Sequence, residues 1–171
     1  MKKNTGLAII AAIAVIAVGA VTSFYLLAQP KIRETTLEMW DFGYNGPSGG
    51  PTIKMKVGET VKIILINRGG VGHEFMVVKD KDAMLTEIRD TVNELKAQGL
   101  DEEDIEGSHE IHEIHEKYAE EDVAVEPGET KTFFLKFDAP GTYSYLCTEL
   151  EITFPQTHAD KGMYGKIVVE P

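Results

Sequence analysis

Ala139-Pro140-Gly141-Thr142-Tyr143-Ser144-Tyr145-Leu146-Cys147 is the stretch on which the fold turns. Pro140-Gly141 marks a turn, and residues 142–147 carry strand chemistry up to the only cysteine in the chain. With no second cysteine, no disulfide forms within the chain. Cys147 is therefore a small buried hydrophobe, a nucleophile or a metal ligand. A loop over residues 148–163 follows, containing His158 and Met163, and residues 164–170 form a last strand.

Working outward, the chain keeps the same grammar of short strands between glycine and proline. Residues 35–42 are the first strand, and residues 43–51 form a loop rich in Gly, Pro, Ser and Asn. Residues 52–57 alternate apolar and polar side chains, as a half-buried strand does. Gly58-Glu59 is a turn. Residues 61–67 are a nearly continuous apolar strand, broken by the glycines of residues 68–72. Residues 73–78 are strand again, and residues 130–137 follow the turn Pro127-Gly128. About seven short strands with regular turns predict an all-β antiparallel sandwich.

One segment breaks the period. Met84, Leu85, Ile88, Val92 and Leu95 recur at helical spacing, and Gly99 is a natural stop. Acidic residues 101–104 open a second helical stretch, which runs to about residue 121 with Ser108 able to cap a new start. Residues 80–122 thus read as a helical hairpin inserted into a β domain spanning residues 30–171. Residues 79–122 hold 16 of the 28 acidic residues and 5 of the 17 basic ones, so this segment accounts for the whole net charge of −11. No basic face is visible, which argues against a nucleic-acid partner. The acidic segment is a solvated insert or a docking surface for a basic redox partner.

Residues 7–27 contain no charge and follow Lys2 and Lys3. Their length suits a bilayer span and exceeds the usual core of a secretory signal. Residues 1–29 are read as an uncleaved single-pass anchor in the cell membrane, with cleavage after Ala20 or Ala28 as the alternative. The soluble part is expected on the extracytoplasmic face.

Four residues carry chemistry: His73 opens a strand, Cys147 closes another, and His158 and Met163 lie between Cys147 and the last strand. Any one of them alone reads as an ordinary packed or hydrogen-bonded residue. Together, two imidazoles, a thiolate and a thioether form a soft, mixed donor set that suits one copper ion. Zinc prefers four full ligands, or three and a water, and a thioether serves it poorly. Strands that fix such a site limit rearrangement when an electron arrives or leaves. A second histidine group, His109, His112 and His115, lies among Glu110, Glu113 and Glu116. It reads as a solvated helix face opposite Ile111, Ile114 and Tyr118, with a shared ion or a pH-sensitive patch as the alternative.

Gly72-His73-Glu74-Phe75-Met76-Val77-Val78 resembles the cupredoxin segment that bears the first copper histidine. Glu126-Pro127-Gly128-Glu129-Thr130 and the run from Ala139 to Cys147 are similar to the family's approach to its copper cysteine. His158-Ala159-Asp160-Lys161-Gly162-Met163-Tyr164-Gly165 resembles its close, in the manner of sulfocyanin and plastocyanin. The resemblance covers about residues 35–79 and 125–171. It implies a Greek-key sandwich, a mononuclear blue type 1 copper site and single-electron transfer between protein partners; with the anchor, a place beside respiratory complexes is expected. Two features depart from the small members: eleven positions separate Cys147 from His158, and residues 80–122 replace a shorter connection.

Other functions are weighed against this one. Copper enzymes that resemble cupredoxins join a second copper through a histidine beside the cysteine, but Leu146 and Thr148 flank Cys147 here. No small-molecule substrate is therefore expected. The binuclear oxidase subunit resembles Cys-x-Glu-x-Cys, whereas Glu151 stands where its second cysteine would be. An altered relative of that site stays open, as does copper storage or delivery.

Overall fold

The computed structural model describes residues 32–150 and 156–171. The candidate anchor lies outside these residues, and among them no helix is long and apolar enough to cross a membrane. Among the described residues nine strands form two sheets. The first runs β2 (Gly43–Tyr44), β1 (Arg33–Trp40), β4 (Thr60–Asn67), β7 (Thr130–Lys136). The second runs β3 (Thr52–Lys56), β9 (Tyr164–Glu170), β8 (Gly141–Leu146), β5 (His73–Val78), β6 (Ala119–Val125). Two pairs, β1 with β4 and β3 with β9, run parallel, in place of the wholly antiparallel sandwich expected. Parallel neighbours need a long connection. The chain supplies one by leaving β1 for β3, in the other sheet, before it returns as β4.

Strand alternation builds the core between the sheets. Val61, Ile63 and Leu65 of β4 are fully buried against Leu37, Phe75 and Ile167, each contributing about 1.5–3 kcal/mol relative to exposure. Tyr145 lies in the same core with its hydroxyl on Pro51 O at 2.6 Å, and its ring stacks on Phe75 with centroids 5.1 Å apart. Its partner across the ladder is Gly165, where any Cβ would collide with the ring. The large aromatic thus dictates the glycine.

Three helices lie between β5 and β6: α1 (Lys81–Ala97), α2 (Glu102–Glu106) and α3 (His109–Tyr118). Each starts at a side-chain cap. Asp80 accepts from Ala83 N at 3.0 Å, Asp101 from Asp104 N at 3.0 Å, and Ser108 from Ile111 N at 3.3 Å. Gly99, at φ +94°, takes the left-handed conformation that ends α1. Met84, Ile88, Val92, Ile105, Ile111 and Ile114 form a second core with Met76, Val78 and Leu146. Phe75 and Val77 belong instead to the core between the sheets. The helices therefore cover the outer face of β5, which explains its unbroken apolar run Phe75-Met76-Val77-Val78.

Two expectations about the insert need correcting. It holds three helices rather than a hairpin, and the last ends at Tyr118, so residues 119–122 are strand. Ala119-Glu120-Glu121-Asp122-Val123-Ala124-Val125 is poor in β-branched and aromatic residues, so its composition hid the strand. The acids suit its place at the sheet edge, where charge discourages pairing with another chain.

Candidate metal centre

The order β9-β8-β5 places three chain points at one end of the second sheet. These are the start of β5 at His73, the residue after β8 at Cys147, and the turn before β9. Antiparallel pairing of Met76 with Leu146 and of Leu146 with Tyr164 fixes their register. Here His73 Nδ1 lies 3.2 Å from His158 Nδ1. Cys147 Sγ lies 3.9 Å from His73 Nδ1 and 3.5 Å from His158 Nδ1. These separations are those of atoms sharing one centre about 2 Å from each, the usual imidazole–metal bond length. His73 and Cys147 are buried, and His158 is 5% exposed. Met163 is fully buried in the same core cluster as Cys147.

Backbone hydrogen bonds hold the ligand loop rigid. Cys147 N donates to Met163 O at 3.1 Å, and Ala159 N to Cys147 O at 2.8 Å. Met163 N donates to His158 O at 3.0 Å, closing a tight turn. Asp160 accepts from Thr157 N at 3.0 Å, and Arg89 of α1 donates to its other oxygen at 2.9 Å. The insert is thus tied to the loop it overhangs. The long interval between Cys147 and His158 does not spread the site. A bridge pairs Leu150 with Thr157, and His158 N donates to Glu149 O at 2.9 Å, so the described ends of the interval meet beside the site. Residues 151–155 lie outside those described.

Burial, and then the neighbouring His158, pushes His73 down to about 4, so its imidazole is neutral at pH 7. Neutral imidazole is the ligating form. Burial pushes the Cys147 thiol well up, so a thiolate there needs a positive partner. Glu74 N donates to Cys147 Sγ at 3.3 Å, stabilising charge on the sulfur. His73 Nε2 is buried with no hydrogen-bond partner among the described residues. A metal-bound histidine usually donates this second N–H. Here the position is held by packing against Gly69, where a Cβ would stand 2.8 Å from Nε2.

Several contributors escaped the sequence reading. Asn67 is buried and clasps the loop before His73. Its Nδ2 donates to Val71 O and Val125 O, both at 2.8 Å, and its Oδ1 accepts from Gly69 N at 2.9 Å. A polar residue ending an apolar strand was the available signal. The three insert histidines also split. The side chains of His109 and His112 are 78% and 67% exposed, while that of His115 is 16% exposed and lies 3.2 Å from Thr148 Oγ1 through its Nε2.

The sequence matches the family of copper binding proteins, plastocyanin/azurin family, over residues 50–170. No curated protein matches it. Among solved structures it is similar to dithionite-reduced auracyanin from the photosynthetic bacterium Roseiflexus castenholzii. The identity is 19%, over 81% of this chain and 97% of that one, with a TM-score of 0.52. Auracyanin B is also 19% identical, over 81% of this chain and 89% of its own, with a TM-score of 0.51. Auracyanin A, a "blue" copper protein of the green thermophilic photosynthetic bacterium Chloroflexus aurantiacus, is 21% identical over 80% of this chain and 99% of its own, with a TM-score of 0.49. The first two matches, with TM-scores above 0.5, share the fold of this chain.

Proposed function

Because the chain belongs to the plastocyanin/azurin family of copper-binding proteins, its cofactor is one copper ion, and we propose that His73, Cys147, His158 and Met163 hold that ion for single-electron transfer. The observation that carries this reading is the convergence of two imidazole Nδ1 atoms and one buried sulfur, 3.2 to 3.9 Å apart. Bound copper supplies a one-electron couple; the chain supplies everything that makes it fast and directed. The strand register and the tight turn at His158 hold the donors in place, so little moves when charge changes. The buried walls exclude water, and the Glu74 N–H steadies the sulfur.

His158 is the natural exit. It lines a depression of about 450 Å³ with Phe42, Val71 and Leu150, and Phe42 meets its ring edge-on at 5.7 Å. A protein partner seated there would exchange electrons through the imidazole, steered by the acids of residues 79–122 if it is basic. Residues 7–27 would tether the domain to the outer face of the cell membrane, close to respiratory partners, which raises its effective concentration there. Such a carrier has no substrate of its own and is not an enzyme.

The full chain, loaded with Cu(II), should show an intense visible charge-transfer band at one copper per chain. Cys147→Ser should abolish the band and His109→Ala should leave it. A colourless complex, or two coppers per chain, would sink the proposal.

A further inference from the structure

On the opposite face of β5, beneath the helices, lies a second group of ligand-type side chains. Glu74 of β5, His115 of α3 and Asp122 of β6 each bring one ligand atom within 4.8 Å of the other two. His115 Nδ1 stands 3.9 Å from Glu74 Oε1 and 3.9 Å from Asp122 Oδ2. Together with His112, Glu106 and Glu149 they line a cavity of about 320 Å³. Four carboxylates and two imidazoles thus converge, and no lysine or arginine is among the described residues that line the space. Carboxylates of the insert and the ligand loop elsewhere do have cations, as Glu87 has Lys117 and Asp160 has Arg89. Burial, and then Glu74, pushes Asp122 up to about 6, the mark of a carboxylate crowded without a positive charge. Burial also lowers His115, leaving its lone pair free for a metal.

We propose that Glu74, His115 and Asp122 form a second metal site, separate from the copper centre, for a divalent first-row cation of the zinc type. The donors decide the class. Imidazole nitrogen with carboxylate oxygens suits zinc and its neighbours, whereas calcium and magnesium take oxygen alone. The absence of sulfur separates this site from that of Cys147. Thr148 Oγ1 donates to Glu74 Oε2 at 2.5 Å and so aims that carboxylate. The three donors come from β5, β6 and α3, so an ion there fastens the insert to the sandwich.

The test is calorimetric titration of the copper-loaded full chain with zinc chloride, with copper content measured before and after. One zinc should bind beside the retained copper and raise the melting temperature. Zinc-edge X-ray absorption should show nitrogen and oxygen neighbours only. His115→Gln and Asp122→Asn should each weaken zinc binding at least tenfold, with copper content and circular dichroism unchanged. His109→Ala, on the exposed face, should not change it. Sulfur around the zinc, no binding in the wild type, or binding that survives both substitutions overturns the site. So does a loss equally large in His109→Ala. Should His115→Gln not fold, Asp122→Asn decides alone, because that side chain is 37% exposed and tolerates exchange.

Discussion

Gly69 and Asn67 show how much of a metal centre is made by residues that never touch the metal. A Cβ at Gly69 would stand 2.8 Å from His73 Nε2, closer than real contacts come, and 3.0 Å from Asp41 Oδ1, tighter than most. Gly69→Ala should therefore leave the fold intact but displace the imidazole, weakening copper about tenfold or more in a chelator competition. Asn67→Ala strands the buried carbonyl of Val125 and frees that of Val71, a cost of about 1–3 kcal/mol that urea titration would read. Asp122 gives a signed pH effect. Its carboxyl, raised to about 6, binds a proton more tightly folded than unfolded. The stability this confers is full below the ordinary aspartate range and lost as pH rises through about 6. Without metal, Asp122→Asn should match the wild type near pH 4 and melt higher above pH 7. Equal melting at both values would refute the assignment. The four proposed ligands could be picked out in the sequence because thiol, imidazole and thioether are chemically distinctive at that order and spacing. Gly69 and Asn67 could not, because their roles exist only as contacts. His115 was half legible: residues 111, 114, 115 and 118 share one helical stripe, so this histidine falls on the apolar side.

At the scale of elements, β5 is the hinge of the design. One face belongs to the core between the sheets and the other to the helices: Phe75 and Val77 pack into the first core, Met76 and Val78 into the second. Ile88→Ala, a truncation in the second core, should cost about 2–5 kcal/mol in urea denaturation. The copper band of the folded fraction should survive, because the ligands sit across the strand. A bleached site would mean that the helices position the ligands directly. Strands β5 and β9 could be read from sequence to the residue, since apolar pattern and turn residues agreed there. The strand β6 could not, because an acidic run satisfies a helix pattern and an edge strand equally well until the neighbouring strand is known. The parallel pairs were hidden for a similar reason: pairing direction depends on the path of the whole chain.

Over the whole molecule, charge is segregated: residues 79–122 hold all of the net −11. Electron exchange with a small basic carrier should slow about tenfold as ionic strength rises from low to high, in stopped-flow measurements. A rate indifferent to salt would remove the insert from the docking surface. The fold class was open to sequence reading because turns at regular intervals leave few alternatives to a sandwich. Finally, the site has a schedule. His73 and His158 are 85 residues apart, and β9 lies between β3 and β8. At about 5–20 residues per second of synthesis, the first histidine waits roughly 4 to 17 seconds for the last. During that interval His109, His112, His115 and then Cys147 are also made, but β9, which joins β3 to β8, is not yet in place. Loading of the proposed site then follows translation, because donors so far apart in the chain meet only once the last strand has joined the sheet.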